Sequence, residues 1–386
     1  MPSGQYLRLE TIGRKTGRPH QVLVRYIADK DKIIAFPQNT GKQDWVKNIA
    51  EHPEIKIYYN DSMSSACGLI KRISGIHDPI LPIFTRKYGS PTVNRWYKGQ
   101  HLYVEMSLEK DLDSIGYDEV IYGDLEAAFD SVAADYDHHI FDNPINTWLR
   151  NVSIGSMSQI FKPGQTVLEV GCGTGTETLS MARRGVRVIA SDISQKMLDV
   201  LSKKASAAGL SDRIVPVHCR PTQLVDRLKN LGMDQVDGAY STYGAINTEP
   251  NLNSMISNLH TVLRKDAFLL LGVWNKFCIY EMIGYLLRLN PALAFARLRN
   301  PVPVGKSRFC VASNAFSVGE VNDLLKNQFK LVRVLGVVIG LPPSNLTKFL
   351  PRGRSFDLMK TVDLDLGVGF PFNRLGDHFL AVYRRL

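Results

Sequence analysis

The segment 167–178, VLEVGCGTGTET, constrains the fold more than any other part of the chain. It begins as an apolar strand, passes through Gly171, Gly173 and Gly175, and continues as a helical pattern. Glycines let a ligand approach the backbone of a tight turn, and a helix N-terminus offers unpaired N–H donors. The segment therefore predicts a strand, turn and helix of an α/β fold that holds a small polar ligand.

An acidic residue ends the next strand-like run, VRVIASDIS. Asp192 lies seventeen positions after Gly175, where a carboxylate can accept hydrogen bonds from both hydroxyls of a ribose. The residues leave two nucleoside ligands open, a dinucleotide or S-adenosylmethionine. A dinucleotide turn needs a third glycine where this chain has Thr176, so the spacing favours S-adenosylmethionine.

At these motifs the chain resembles the class I S-adenosylmethionine-dependent methyltransferases. The likeness extends over residues 125–386: AFDSVAADYD resembles the family's N-terminal helix, DGAYSTYGAIN its fourth-strand motif, VLRKDAFLLLGVWN its fifth strand, and DHFLAVYRR its last antiparallel strand. The resemblance implies a Rossmann-like α/β domain with a seven-stranded, mostly parallel sheet. It also implies cofactor-binding roles for Glu169, Gly171, Cys172, Gly173, Gly175, Asp192, Ile193, Met197 and Tyr240.

The predicted adenine side of the site has two features to weigh, at Met197 and at Cys219. Met197 is expected beside the adenine, and the alternative is that it packs in the core from its helix. After the third strand the family has an acidic residue near the adenine amino group, whereas here Cys219 follows His218. Two alternatives follow: a backbone contact replaces that carboxylate, or the cofactor binds more weakly.

The acceptor side of the reaction offers fewer signals. A hydroxyl or protonated amine needs a base to take its proton. The candidates are His139, its neighbour His138 and Tyr136, which lie in or beside the segment AFDSVAADYD, and the resemblance implies that this segment closes over the cofactor. Adjacent histidines in a polar helix are otherwise simply exposed. Tyr136 and Tyr243 are predicted to contact cofactor or acceptor.

Residues 275–355 are predicted to form a substrate lid. The part from 284 to 354 has eleven Lys or Arg and two acids, mixed with apolar residues, a composition that fits an anionic substrate, a membrane surface, nucleic acid, or an ordinary solvated face. Pro291 predicts two short helices rather than one.

Residues 1–112 have a different texture, with short β-rich runs separated by turn signals, which predicts a small antiparallel barrel with one early helix at Asp44–His52. The basic loop TIGRKTGRP and the later segment GKQDWVKN resemble the deazaflavin-dependent nitroreductases, a split β-barrel (α+β) family. The resemblance implies that Arg14, Lys15, Thr16, Lys42 and Trp45 contact the deazaflavin coenzyme F-420. It also implies a homodimer through the barrel. The alternative is a non-catalytic dimerisation or substrate-docking module.

The chain of 386 residues is thus expected to have two domains, 1–112 and 125–386, with the acidic linker 113–124. Apolar runs stop near eight residues, no signal pattern precedes them, and the five cysteines form no metal-binding or disulfide pattern. We therefore expect a cytoplasmic protein without a transmembrane segment or bound metal.

The leading functional hypothesis is a small-molecule methyltransferase fused to a deazaflavin-binding oxidoreductase domain. A nucleic-acid methyltransferase is disfavoured because the fourth strand lacks the Asn/Asp-Pro-Pro-aromatic motif used on flipped bases.

Overall fold

The chain folds into two compact units. The computed structural model describes residues 6–29, 32–37, 43–59, 62–73, 78, 80–88, 93, 102–108, 117–298, 302, 313–351 and 353–386. The first unit comprises Met1–Ser131 with Pro303–Ala312, and the second comprises Val132–Val302 with Ser313–Leu386. Within the described residues, no helix is long and apolar enough to cross a membrane.

The first unit contains a closed, six-stranded antiparallel barrel. Its strands are β1 (Tyr6–Ile12), β2 (Pro19–Asp29), β3 (Lys32–Ala35), β4 (Glu54–Tyr59), β5 (Ser62–Arg72) and β6 (Leu102–Leu108), paired in the order β1-β2-β3-β6-β5-β4 and closed by β4 against β1. Leu7 and Leu9 are fully buried while Arg8 between them is exposed, because alternate side chains of a strand face opposite sides. The predicted small barrel is therefore present.

Two helices pack against this barrel. Helix α1 (Asp44–Glu51), predicted one residue longer, adds Trp45, Val46 and Ile49 to the barrel core. Helix α2 (Ile80–Tyr88) contacts the outer face of β2 and β3, where Phe84 is fully buried. Strands β2 and β3 are thus buried on both faces, which explains the unbroken apolar run in KIIAF.

The second unit is built on a seven-stranded mixed sheet. The strands are β7 (Thr166–Val170), β8 (Arg187–Asp192), β9 (Ile214–His218), β10 (Val236–Ser241), β11 (Leu263–Trp274), β12 (Phe329–Val337) and β13 (His378–Arg385), in the order β12-β13-β11-β10-β7-β8-β9. All run parallel except β13, which lies antiparallel between β11 and β12. The expected seven-stranded, mostly parallel sheet is confirmed, and it is not purely parallel.

Helices cover both faces of this sheet. Helix α3 (Tyr117–Val132) belongs to the first unit except for its last residue. The helices of the second unit are, in chain order, α4 (Tyr136–Phe141), α5 (Pro144–Ile160), α6 (Thr176–Arg183), α7 (Gln195–Ala207), α8 (Leu224–Asn230), α9 (Leu252–Val262), α10 (Ile279–Leu286), α11 (Pro291–Ala294), α12 (Val318–Leu325) and α13 (Arg354–Val368). In β7, Leu168 and Val170 face one core cluster and Val167 faces the other. Burial on both faces accounts for the continuous apolar strands of this half of the chain.

The helix boundaries test the expected linker at 113–124 and the expected break at Pro291. Helix α3 occupies positions 117–124 of the expected linker, and positions 113–116 lie outside the described residues. Pro291 opens α11 after the end of α10, so the two short helices expected there are confirmed.

The sheet determines where a site can form. Because parallel strands end at the same edge, the turns after β7, β8, β10 and β11 meet there. Strand β13 begins at this edge, since it runs the other way and His378 pairs with Trp274.

Candidate active site

The turn after β7 exposes bare backbone at this edge. Gly171, Gly173 and Gly175 have φ of 76°, 53° and 80°, the left-handed region that glycine adopts without strain. A Cβ added at Gly171 would lie 2.7 Å from the Cβ of Ala245, so a side chain does not fit there. Gly175 also begins helix α6, whose first N–H groups are directed into the same turn. The three predicted glycines thus form an open backbone cradle.

Asp192 joins this turn to the end of β8. Its Oδ2 accepts the backbone N–H of Gly173 at 2.7 Å, and its Oδ1 accepts that of Ser194 at 2.8 Å. Burial raises the pKa of the Asp192 carboxyl, and these backbone donors oppose the rise. Each carboxylate oxygen keeps accepting capacity for a second donor. Asp192 therefore connects the glycine turn to the end of β8, and its binding of a ribose stays a prediction.

Glu169 lies under the same turn, with 2% of its surface exposed. Thr178 and Tyr240 donate hydroxyl hydrogen bonds to its Oε2, at 2.5 and 2.8 Å. Burial, and secondly the charge of Glu177, raise the pKa of Glu169 to about 8. Tyr240 is fully buried, and its hydroxyl holds the Glu169 carboxyl in place.

Arg150 and Glu177 form a buried ion pair that the sequence interpretation did not include. The Nη1 of Arg150 lies 2.5 Å from Oε2 of Glu177, and both side chains are more than nine-tenths buried. Two atoms of the pair, Arg150 Nε and Glu177 Oε1, are buried without a hydrogen-bond partner among the described residues. The guanidinium also stacks 4.4 Å from the ring centre of Tyr243.

The charges of this region suit a cationic ligand group. Glu177 is paired with Arg150, and Glu169 beside them is a buried carboxyl with a raised pKa that a cationic ligand would draw into the ionised form. The unpaired Oε1 of Glu177 can accept an ammonium N–H, whose binding would also relieve the repulsion between the two acids. S-adenosylmethionine carries an ammonium and a sulfonium beside one carboxylate, so the residues present fit it.

Helix α4 is tied to the glycine turn. Asp137 accepts the Thr174 hydroxyl at 2.5 Å and pairs with Lys204 at 2.7 Å. Tyr136, at the start of this helix, is near Gly173, with 3.9 Å between its ring carbon Cε1 and a Cβ added at that glycine. Helix α4 therefore packs against the glycine turn.

The two histidines of helix α4 have different outcomes. The side chain of His138 is 80% exposed and pairs with Asp142 one turn later. The side chain of His139 lies outside the described part of the structure. Its catalytic role stays a prediction.

The adenine side of the turn is lined differently from the family pattern. Met197 is 1% exposed and follows Ser194, which caps helix α7 by accepting the Met197 N–H at 3.1 Å. Ile193 is partly buried, and its carbonyl accepts a contact from the His218 ring at 2.8 Å. Cys219 is buried, and burial raises the pKa of its thiol to about 12. The residue after His218 is therefore an uncharged thiol rather than a carboxylate.

His378 and Asp377 form a second pair at this edge of the sheet that the sequence did not predict. The Nδ1 of His378 lies 3.0 Å from Oδ2 of Asp377, and the imidazole stacks on Tyr243 with 6.2 Å between ring centres. Tyr243 itself follows β10 with a φ of 61°, which a tyrosine adopts only under local strain. The ring of Tyr243 therefore lies between the guanidinium of Arg150 and the imidazole of His378.

Arg297 holds Asp377 in place. Its Nη2 lies 2.5 Å from Oδ1 of Asp377, and its Nε lies 2.7 Å from Oε2 of Glu281. This arginine and the nearby His378 hold the pKa of Asp377 well below its usual range despite complete burial. The carboxylate is thus ionised throughout the ordinary pH range and orients the imidazole with Nδ1 protonated.

The residues expected to bind F-420 belong to the first unit, and three of them lie in its basic loop. Arg14 donates to Asp44 at 3.0 Å and to Asn48 at 3.2 Å, so its guanidinium is already used within the barrel. Lys15 is exposed, and the Thr16 hydroxyl contacts His20. Lys42 lies outside the described residues.

Trp45 is a core residue of the barrel, with 6% of its surface exposed. It also contributes to the wall of a cavity of about 400 Å³. The lining residues are Tyr6, Val22, Leu23, Val24, Arg25, Phe36, Pro37, Gln43, Asp44 and Trp45.

Comparison with known proteins agrees with the geometry of the second unit. Residues 167–266 match the family described as "Methyltransferase domain". The chain is 27% identical to an uncharacterized protein of Methanocaldococcus jannaschii over 236 residues, 58% of this chain and 83% of that protein. It is 30% identical over 109 residues to the tRNA 5-carboxymethoxyuridine methyltransferase of Escherichia coli, which is 28% of this chain and 40% of that enzyme.

Among solved structures, the CcbJ methyltransferase of Streptomyces caelestis aligns with 67% of this chain and 97% of its own, at 15% identity and a TM-score of 0.43. The matched family segment begins in β7 and contains the glycine turn, Asp192 and Tyr240. The C-terminal part of the chain therefore contains a methyltransferase domain, matched over residues 167–266.

Proposed function

We propose that this protein transfers a methyl group from S-adenosylmethionine to a small-molecule acceptor. The observation that carries the proposal is the 2.7 Å hydrogen bond from the Gly173 N–H to Asp192. It brings together the open glycine backbone and a buried carboxylate, the two parts that a nucleoside-linked amino acid requires. When bound, the cofactor supplies an electrophilic methyl group, and the protein's task is alignment.

The chain's own residues divide this task. Asp192 holds the ribose, and Glu169 and Glu177 receive the ammonium of the methionine part. Tyr243 lies at the end of β10 beside Arg150, where its ring forms one wall of the acceptor side. His378, oriented by Asp377, presents Nε2 as the base that takes a proton from the acceptor. No hydrogen bond occupies that nitrogen among the described residues.

A small acceptor is favoured over nucleic acid by the fourth-strand sequence. Strand β10 continues into Thr242 and Tyr243 rather than into the Asn/Asp-Pro-Pro-aromatic motif of enzymes that act on flipped bases. The tRNA-modifying relative matches over only 40% of its own length, so its substrate is not carried over.

Calorimetric titration with S-adenosylmethionine tests the cofactor site. Asp192→Asn removes the charge and weakens the ribose contacts, so we expect about a tenfold to hundredfold loss of affinity. Asp234→Asn, at an exposed aspartate, is the matched control and should bind like the wild type. Equal affinity of the two variants would refute the assignment of Asp192.

The acceptor class is tested by release of S-adenosylhomocysteine. We expect turnover with the small-metabolite fraction of a cell extract, and loss of most of that turnover in His378→Ala with cofactor affinity retained. Turnover with purified tRNA and none with the metabolite fraction would replace the small-molecule proposal by an RNA acceptor.

For the first unit we propose two alternative functions, binding of F-420 and a non-catalytic role in dimerisation or substrate docking. The cavity beside Trp45 supports binding of a flat aromatic cofactor such as F-420, whereas the engagement of Arg14 by Asp44 and Asn48 supports a module that only dimerises or docks substrate. Fluorescence titration with F-420 decides between them, because binding that is lost in Trp45→Leu requires the cavity. Light scattering tests the homodimer that we propose for the barrel.

A further inference from the structure

We propose that the turn joining helices α10 and α11 docks on an anionic membrane surface. The apolar turn surface is defined by large side chains that are all at least 39% exposed. They are Ile283, Leu286, Leu287, Leu289, Leu293, Phe295, Leu298 and Phe349. Seven of the eight lie within sixteen consecutive residues, whereas exposed apolar residues elsewhere on monomeric proteins are usually scattered singly.

The tip of this surface is shaped to project apolar groups. Leu287 is 80% exposed and Leu289 is 91% exposed. Leu289 has a φ of 54°, and the Asn290 N–H bonds to the Tyr285 carbonyl, so the leucine occupies the helix-ending position that normally requires glycine. A leucine there gains no burial and strains the backbone. Folding therefore does not explain this residue, whereas insertion into an apolar phase does.

The charges beside the tip match a negative surface. Arg288 stacks on Phe349 with 4.4 Å from its guanidinium carbon to the ring centre, and the Lys348 ammonium lies 5.0 Å from the same ring. Neither cation has an acidic partner among the described residues. The one acid of residues 279–298 is Glu281, which is buried against Arg297. Basic groups beside exposed leucines are the pattern of interfacial helices on anionic lipids.

The base of the apolar turn surface is firmly held. Arg297 bonds through Nη1 to the carbonyls of Asn275 and Asp377, at 3.0 and 3.1 Å, besides its two ion pairs. Asn345 donates to the free oxygen of Glu281 at 2.8 Å. The leucines are thus exposed on an anchored support.

Lipid fits this surface better than the alternatives. Nucleic acid would use the two cations but leave the leucines in water. A twofold contact between copies centred on the tip would bring the Arg288 side chains of both copies together, at a cost in repulsion. An anionic bilayer satisfies both the leucines and the cations, and the proposal does not depend on methyl transfer.

Flotation of the full chain with vesicles tests this proposal. We expect binding to vesicles of equal phosphatidylcholine and phosphatidylglycerol, weaker binding to phosphatidylcholine alone, and a decrease with added salt. Leu287→Ser and Leu289→Gly should each lower the partition coefficient about tenfold, because each removes a leucine from the apolar phase. Leu231→Ser, at a leucine that is 43% exposed away from the turn, is the matched control.

Leu289→Gly also separates binding from folding. Glycine suits the left-handed position, so the melting temperature should not fall while vesicle binding does. Absence of vesicle binding in the wild type, or equal binding by wild type and both leucine variants, would overturn the proposal. So would a Leu287-dependent dimer by light scattering, or salt-sensitive binding to an RNA oligonucleotide in place of the vesicles.

Discussion

Binding of S-adenosylmethionine is expected to release about one proton from Glu169. The pKa of this buried carboxyl is about 8 in the free protein, so more than about nine-tenths of it is protonated at pH 7. The ligand's cationic groups favour the ionised form, and the proton leaves as the ligand binds. Because the protonated fraction must be ionised first, the association constant should rise about tenfold between pH 6 and pH 7, about 1.4 kcal/mol.

The assay is titration calorimetry at pH 6.5 in two buffers of different ionisation enthalpy, since the difference in observed heat counts the protons released. Glu169→Gln keeps the shape of the side chain and cannot ionise, so it should bind with no proton release and little dependence on pH. Release of the same number of protons by the variant and the wild type would refute the reasoning. So would a wild-type affinity that is constant from pH 6 to pH 7.

The raised pKa of Glu169 also makes the stability of the fold depend on pH. Glu169 retains its proton in the folded protein at a pH where the unfolded chain has lost it, because its folded pKa lies above the usual 4.5. Its contribution to the free energy of unfolding is therefore complete below about pH 4 and decreases as the pH rises toward 8.

Three further predictions concern stability, each measured by urea unfolding followed by circular dichroism. Gly175→Ala should lower the free energy of unfolding by more than about 2 kcal/mol, because it combines left-handed backbone strain with a collision against helix α7. The control is Gly209→Ala, in open space at a φ of 65°, which should lower the free energy of unfolding by only about 1 kcal/mol. Arg150→Met leaves Glu177 buried and unpaired and should cost about 3–5 kcal/mol. Adding Glu177→Gln should recover part of that loss, and a strictly additive pair would contradict the coupling. Trp45→Ala should destabilise the barrel by about 3–5 kcal/mol, and a loss under about 1 kcal/mol would show that the residue is not part of the core.

The sequence was sufficient for the parts of the site that one local segment specifies. The glycine turn and Asp192 lie at the ends of adjacent parallel strands, and apolar runs with turn signals identify those strands without any knowledge of the fold. The two short helices around Pro291 follow in the same way from one residue's covalent geometry.

The long-range partners could not be predicted in this way. Arg150 of helix α5 meets Glu177 of helix α6 across 27 positions. Arg297 meets Asp377 across 80 positions, because strand β13, which follows Asp377, inserts between β11 and β12. Neither spacing is a motif. The signal present was weaker: Arg150 is the one charged residue of helix α5, and an arginine is buried only when a partner is available.

Arg297 has a mechanical consequence. Its guanidinium grips Glu281 in helix α10 and Asp377 immediately before β13, and Asp377 in turn orients the imidazole of His378. A load applied at the outer end of helix α10 is therefore transmitted to that imidazole through two ion pairs and one hydrogen bond. Because Arg297 connects the two parts, a tilt of helix α10 must either shift the ring of His378 or break one of the buried ion pairs of Arg297.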